Sequence, residues 1–451
     1  MSFEAVARAI LKKKFLNFFS CLSIYLFSIQ LAAAEEAAPT HPFVTGFDKI
    51  NSGDTAWMLA STALVLLMTI PGLALFYGGM VRKKNVLSTA LQSFFTCSIV
   101  TVLWVVIGYS LAFTPGGGFI GGFDRVFLNG LSFVKSEATL SVSHIAPTIP
   151  ESVFIMFQMT FAIITPALIT GAFAERIRFP PLAAFITLWS LFVYAPIAHW
   201  VWEPTGWLAA MGALDFAGGT VVHINAGAAG LVCAYVLGRR EGYGREAFIP
   251  YNLGFTLVGA SLLWVGWFGF NAGSAGAADG RAGMAMLVTQ IATATASLTW
   301  MLVESLVRSR ATLLGACSGA VAGLVAITPA AGFVDVGGAL CIGLAAGAGC
   351  YWGATALKRL LGADDSLDVF GIHGVGGIIG ALLTGVFARP SVGGVTGNLA
   401  VQALGVIATF CYSAAMTFII LKIVAWIFGL RVTPAQEHAG LDVTQHGEQI
   451  A

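Results

Sequence analysis

Charge is what this 451-residue chain has least of. Lys and Arg together number 23 and Asp and Glu 22, only 10% of residues, against 57% that are apolar. A water-soluble chain of this size needs about a quarter of its residues charged to cover its surface, so an assembly of soluble domains is excluded. The formal net charge of +1 excludes a nucleic-acid partner recognised through a basic face. Cysteine is sparse too. Cys97, Cys233, Cys317, Cys341, Cys350 and Cys411 all fall inside apolar segments, and no Cys-x-x-Cys occurs, so neither a disulfide nor a metal site is expected. No Cys or carboxylate cluster sits at the depth of the buried histidines, so the constellation of a membrane-embedded enzyme is missing and no cofactor is called for. What the chain has instead is 54 Gly, 11 Trp and a mean hydropathy of +0.84. That combination belongs to close-packed membrane helices with aromatic side chains at the interfaces. The chain reads as an all-α integral membrane protein.

Residues 1–34 are expected to be a cleaved signal peptide. Arg8, Lys12, Lys13 and Lys14 precede an apolar run from Phe15 to Leu31, and Ala32-Ala33-Ala34 supplies the cleavage site. A short outer segment, 35–54, would follow, then a membrane domain over 55–429 and a cytoplasmic tail over 430–451.

Apolar segments of spanning length begin near Thr55, Val86, Ser152, Pro181, Phe216, Asn252, Ala282, Ala311, Val336, Val369 and Leu399. Eleven transmembrane helices are therefore predicted. Backbone groups in lipid must be satisfied within each segment, so a helical bundle follows. Basic residues crowd the connections on one side: Arg82, Lys83, Lys84, Arg176, Arg178, Arg239, Arg240, Arg245, Arg308, Arg310, Lys358, Arg359 and Arg431. The other side carries Lys49, Arg125, Lys135, Arg281 and Arg389. The positive-inside rule then sets the amino terminus outside and the carboxyl terminus in the cytoplasm. Leu214-Asp215-Phe216 with His223, and Leu367-Asp368-Val369 with His373, open the fifth and tenth spans in similar ways. These spans run in opposite directions, which suggests a five-plus-five inverted repeat followed by a final long helix. In transporters of this design the substrate path lies at the repeat interface.

His223 and His373 are the sharpest chemical signal. An ionisable group inside a span is costly and faces a cavity or a partner, and small residues flank both. A lone His is more often a satisfied core residue, but two in related helices point to a shared pore role. Imidazole suits proton passing because its unperturbed pKa of about 6.5 lies near neutrality. His199, beside Trp200 and Trp202, reads as an interfacial residue. For Asp215 two readings stand together: an N-cap of the fifth helix, or an acid that stabilises a cation along the path. Asp368, with Asp365, occupies the corresponding inner position. Phe157 and Phe161 share one face of the third helix by their i,i+4 spacing. Trp267, Phe270 and Ser274 are similarly spaced on the sixth, and Trp202 ends the fourth. Singly these aromatics are belt or packing residues; together they can line an outer vestibule that attracts a small cation through ring faces, each contact worth about 0.5–2 kcal/mol.

At these residues the chain resembles the Amt/Mep/Rh ammonium transporter family, and bacterial Amt proteins in particular. The similarity runs from about Asp54 to Glu448. It is carried by Asp54-Thr55-Ala56, Phe76-Tyr77-Gly78-Gly79, Gly171-Ala172-Phe173-Ala174-Glu175-Arg176, Asp215 through His223-Ile224-Asn225, Gly266 through Ser274, and Asp368 through Gly374. The stretch Trp202-Glu203-Pro204-Thr205-Gly206-Trp207 departs from the family's Gly-rich form. The resemblance implies a homotrimer in the bacterial inner membrane with a conduction path in each subunit, selective for ammonium and its analogue methylammonium. It matches Phe157, Phe161, Trp202 and Ser274 to an outer recruitment site, Phe161 and Phe270 to a stacked gate, and His223 and His373 to a luminal pair. Asp215 matches a transport-essential acid and Trp267 a pore-lining aromatic. For the tail, composition alone says solvated; the resemblance implies instead that it packs under the bundle and couples to a PII-type regulatory protein. An ammonium sensor would share this core but add a signalling domain. A cation-coupled secondary transporter would fit the inverted repeat, although no broken helix here is rich in carboxylates.

Overall fold

The computed structural model describes residues 42–450; the expected signal peptide lies outside them. The described chain is a helical bundle. Ten helices are long and apolar enough to cross a membrane: α1 (Ser52–Met80), α2 (Lys83–Phe113), α3 (Glu151–Phe173), α4 (Phe179–Ala210), α5 (Gly219–Leu237), α6 (Leu253–Gly273), α7 (Gly280–Arg308), α9 (Val336–Leu361), α10 (Phe370–Phe387) and α11 (Leu399–Phe428). Between the seventh and the ninth lies α8 (Leu313–Ile327), apolar but shorter. The count of eleven therefore splits into ten helices of spanning length and one of 15 residues. At 1.5 Å per residue α8 covers about 22 Å, short of a hydrocarbon core of about 30 Å. Its apolar run continues through Ala331, but the chain leaves the helix after Ile327 and turns through 328–333.

Helix starts are fixed by short polar side chains. Asn51, Asn252, Asp279, Thr312, Asp335 and Asn398 each accept from the first free amides of the helix that follows, satisfying donors that have no partner within the helix. In the α2–α3 connection β2 (Phe133–Val134) and β3 (Thr139–Val142) form a three-stranded antiparallel sheet with β1 (Phe43–Gly46), which precedes α1, β3 being the central strand. Its register pairs Phe43 with Val142 and Gly46 with Thr139.

The most enclosed spans are α3 and α5, with 89% and 78% of their apolar windows buried, against 28% for α2 and 33% for α7. The functional side chains expected from the sequence lie on or against this inner pair.

Two spans of each expected half carry matching π-helical turns. α4 and α9 hold them at Ser190–Tyr194 and Gly353–Leu357, α5 and α10 at Gly219–Ile224 and Phe370–Gly374. The last two contain His223 and His373. A π turn inserts one extra residue and is frequent at functional sites. The anchor of the internal match needs correcting, however. Asp368 is not the counterpart of Asp215. Its φ is +58°, and its carboxylate pairs with Lys358 at 2.7 Å. The residue that caps α10 is Asp365, which accepts from the Phe370 amide at 2.8 Å. It precedes His373 by the same eight positions that separate Asp215 from His223.

The tail is not a solvated strand. It forms α12 (Pro434–Ala439) and α13 (Leu441–His446), with Glu437, Leu441 and Asp442 buried. The Asp442 carboxylate accepts from the amides of Leu87 and Ser88 at the start of α2, and Asn85 Oδ1 accepts from the Leu441 amide. Glu437 pairs with Arg431 at 2.7 Å and accepts from the Glu241 amide in the α5–α6 connection. Val432 donates to the Arg176 carbonyl of the α3–α4 connection. The tail thus ties the start of α2 to two connections.

Candidate functional site

The site begins with a glycine. Gly218 has φ +110°, a conformation natural to glycine, and its turn brings the amides at the start of α5 back over Asp215. The carboxylate takes four of them: Gly218 and Gly219 on Oδ1 at 2.9 and 2.6 Å, Thr220 and Val221 on Oδ2 at 2.8 and 3.0 Å. The capping reading of Asp215 therefore holds. The Asp215 carbonyl also accepts from Trp202 Nε1 at 2.9 Å. One residue thus joins the Trp202 indole of α4 to the turn that carries His223.

The aromatic residues expected to work together are brought together. Phe157, Phe161, Trp202 and Ser274 line one cavity of about 150 Å³. Phe157 and Phe161 meet edge-on with centroids 5.0 Å apart, and Phe161 meets Trp202 at 5.6 Å and 89°. The Ser274 hydroxyl donates to the Phe270 carbonyl at 2.8 Å, which leaves its oxygen lone pairs free to accept. Beneath the cavity the Phe161 and Phe270 rings stack at 4.2 Å with 27° between planes, and both are buried. This lid is apolar and closed.

Past the rings lie the two imidazoles. His223 and His373 face each other with Nδ1 atoms 3.3 Å apart. Two nitrogens can share such a contact only if one ring donates and the other accepts, so the neutral pair holds one proton between them. His223 Nε2 is buried without a partner. Trp267 stacks on His223 at 5.4 Å and 22°. Its indole N–H is held by Thr328 Oγ1 at 2.8 Å, and Thr328 in turn bonds Asn271, which bonds Thr289. Small residues allow the two histidine helices to cross closely. A Cβ on Gly227 would lie 2.4 Å from the Cα of Gly374, the close approach that glycine permits between membrane helices.

The profile described as the Ammonium Transporter Family matches residues 56–450. The chain belongs to the ammonium transporter family. An ammonium transporter of Bacillus subtilis (strain 168) is 49% identical over 409 residues, 89% of this chain and 98% of that one. One from Aquifex aeolicus (strain VF5) is 50% identical over 410 residues, 89% and 94% of the two chains. Among solved structures, Mep2 of Saccharomyces cerevisiae superposes with a TM-score of 0.78 at 36% identity, covering 85% of this chain and 88% of that one. A structure described as a sensor Amt protein gives 0.79 at 30%, covering 87% and 98%. The curated relatives are named as transporters, which points away from an enzyme.

In this family member several site neighbours were not legible in the sequence. Phe113, stacked on Trp202 at 6.4 Å and 11°, and Gln158, whose buried Oε1 has no partner, both line the upper cavity. Glu203, in the stretch that departs from the Gly-rich form, is fully buried and bonds His144 at 3.0 Å; the next two residues, Ile145 and Ala146, also line the cavity. Only the departure of Glu203 from the expected pattern could have flagged it. His199 corrects the interfacial reading. It is buried, with Nδ1 on the Ala112 carbonyl at 3.1 Å and Nε2 on that of Gly117 at 2.8 Å.

At the tail end, the Gly171–Arg176 motif makes an ionic knot. Glu175 takes Arg82 at 2.8 Å and Arg240 at 3.2 Å, and Arg240 takes Asp364 at 2.8 Å. Burial pushes the Asp364 carboxyl upward, but the Arg240 guanidinium outweighs it and holds the group below its ordinary range.

Proposed function

We propose that the chain conducts ammonium across the bacterial inner membrane, with its amino terminus outside and one path in each subunit of a homotrimer. On this reading α8 completes eleven spans. The observation that carries the proposal is the sequence of contacts from cavity to rings to imidazoles: a cation-attracting aromatic chamber, a closed apolar lid, then a hydrogen-bonded His pair.

The chemistry follows from cost. An unpaired ion in a dry channel faces a desolvation penalty of tens of kcal/mol by idealised Born arithmetic. In the chamber, the faces of Phe157, Phe161 and Trp202 together with the lone pairs of Ser274 and Gln158 replace part of the hydration of ammonium. One N–H bond then breaks, its electron pair stays on nitrogen, and the proton passes to the relay of His223 and His373. Neutral ammonia crosses the Phe161–Phe270 lid along the lumen beside Trp267. Potassium has no proton to release and meets the full barrier. Proton and ammonia both arrive inside, so uptake is electrogenic. Asp215 supports the path by fixing the His223 turn and the Trp202 indole at once. His373→Ala is expected to abolish proton-coupled current or to relax selectivity against potassium; unchanged behaviour on both counts refutes the relay.

Uptake of radiolabelled methylammonium into vesicles, competed with ammonium and with alkali cations, tests the transport reading. Competition by ammonium alone supports it, and equal competition by sodium or potassium favours a cation-coupled secondary transporter. An ammonium sensor has a concrete counterpart in the sensor Amt structure; binding without flux in the same vesicles would favour it. The docked tail is the surface we assign to a cytoplasmic PII-type regulator. Binding of that protein is expected to be lost without adenine nucleotide or with excess 2-oxoglutarate.

A further inference from the structure

The two halves of the bundle carry the same acid at the same distance from the same base, yet use it differently. Asp215 spends both oxygens on four amides. Asp365 spends only Oδ2, on Phe370; its Oδ1 is buried and has no partner, although the residue is just 3% exposed. That residue lines a second cavity at the start of α10, together with Gly353, Lys358, Asp368, Phe370 and Gly371. The space measures about 10 Å³, room for one water-sized molecule, and ammonia is of that size.

Resting on the transport reading above, we propose that this cavity is the inner proton-return site, where ammonia leaving the lumen takes a proton from the Asp365 carboxyl. The step balances. The ammonia lone pair forms the new N–H bond, the O–H bond of Asp365 breaks, and its electrons remain as carboxylate. The proton delivered along the histidine relay then restores the acid. Ammonia is a far stronger base than a carboxylate, so the transfer runs downhill.

The surroundings select Asp365 over its neighbour. Asp368 is already engaged by the Lys358 ammonium at 2.7 Å. Asp365 faces that same lysine of α9, Asp368 of the α9–α10 connection, Arg176 from the α3–α4 connection, Tyr77 of α1 and Cys233 of α5. Burial is the main influence on it and pushes its carboxyl up to about 6, so protonated and ionised forms both occur near the pH of a cell interior.

The test uses the full chain in vesicles, with ammonium-evoked current recorded as the inner pH is stepped from 5 to 8. Asp365→Asn keeps an acceptor for the Phe370 amide, and Asp365→Glu restores the acid. We expect wild-type current to follow inner pH around 6. In Asp365→Asn the current should fall about a hundredfold, the low end of general acid–base catalysis, and lose that dependence, while Asp365→Glu recovers both. Wild-type current that ignores inner pH overturns the proposal whether or not the variants fold. An Asp365→Asn protein with wild-type current and wild-type pH dependence also overturns it. No ammonium current in the wild type would sink the transport reading instead.

Discussion

A tryptophan N–H inside a dry bundle has no water to turn to, so the partner it finds fixes its ring. Trp267 finds Thr328 at 2.8 Å, and the ring so held is the one stacked on His223. Thr328→Val keeps the shape and removes the acceptor, leaving a buried donor unpaired at a cost of about 1–3 kcal/mol. A lowered melting temperature with the fold retained is expected, and an unchanged one would show that the indole is held by packing alone. At this scale the sequence was most informative where a residue is chemically conspicuous. His223 and His373 stand out within apolar helices, the Phe161–Phe270 pair was implied by the family resemblance, and the structure brings each pair into contact. Thr328, Phe113 and Gln158 were silent because a Thr, Phe or Gln is unexceptional until the facing helix is known. Thr328 meets its indole across 61 positions of sequence, a separation no local pattern encodes.

Two helices fix the side chains near their crossing most tightly when their backbones nearly touch. α5 and α10 do so where Gly227 meets Gly374. Gly227→Val should drive the helices apart, with an overpacking cost of about 1–3 kcal/mol read as a lower melting temperature, and should part the His pair and silence ammonium current. A variant that keeps both stability and current would show that the crossing is not what sets the pair. The anchor of the expected five-plus-five match was misplaced. Leu367-Asp368-Val369 imitates Leu214-Asp215-Phe216 letter by letter, whereas capping is decided by which carboxylate the turn brings over the amides, and that is Asp365. The end of α8 had a signal that the apolar run overrode: Pro329 stands two positions after Ile327, where a helix stops, while the apolar run continues through Ala331.

The tail is a property of the whole molecule. Its polar composition read as solvated because the partners of its charges lie elsewhere in the chain: Glu437 on Arg431 and the Glu241 amide, Asp442 on the first amides of α2. Asp442→Ala should release α13 from α2 and leave the amides of Leu87 and the buried Ser88 without that acceptor. Limited trypsin digestion is expected to cut this variant faster at Arg431, whereas cleavage at the wild-type rate would mean the other contacts suffice. The central claim concerns a proton leaving a nitrogen in the aromatic chamber above the Phe161–Phe270 lid, and its most direct measurement is current on a solid-supported membrane carrying the purified protein. An ammonium pulse should evoke a transient inward current that His373→Ala loses, and a potassium pulse of equal concentration should evoke none. Equal currents from both ions would contradict the account.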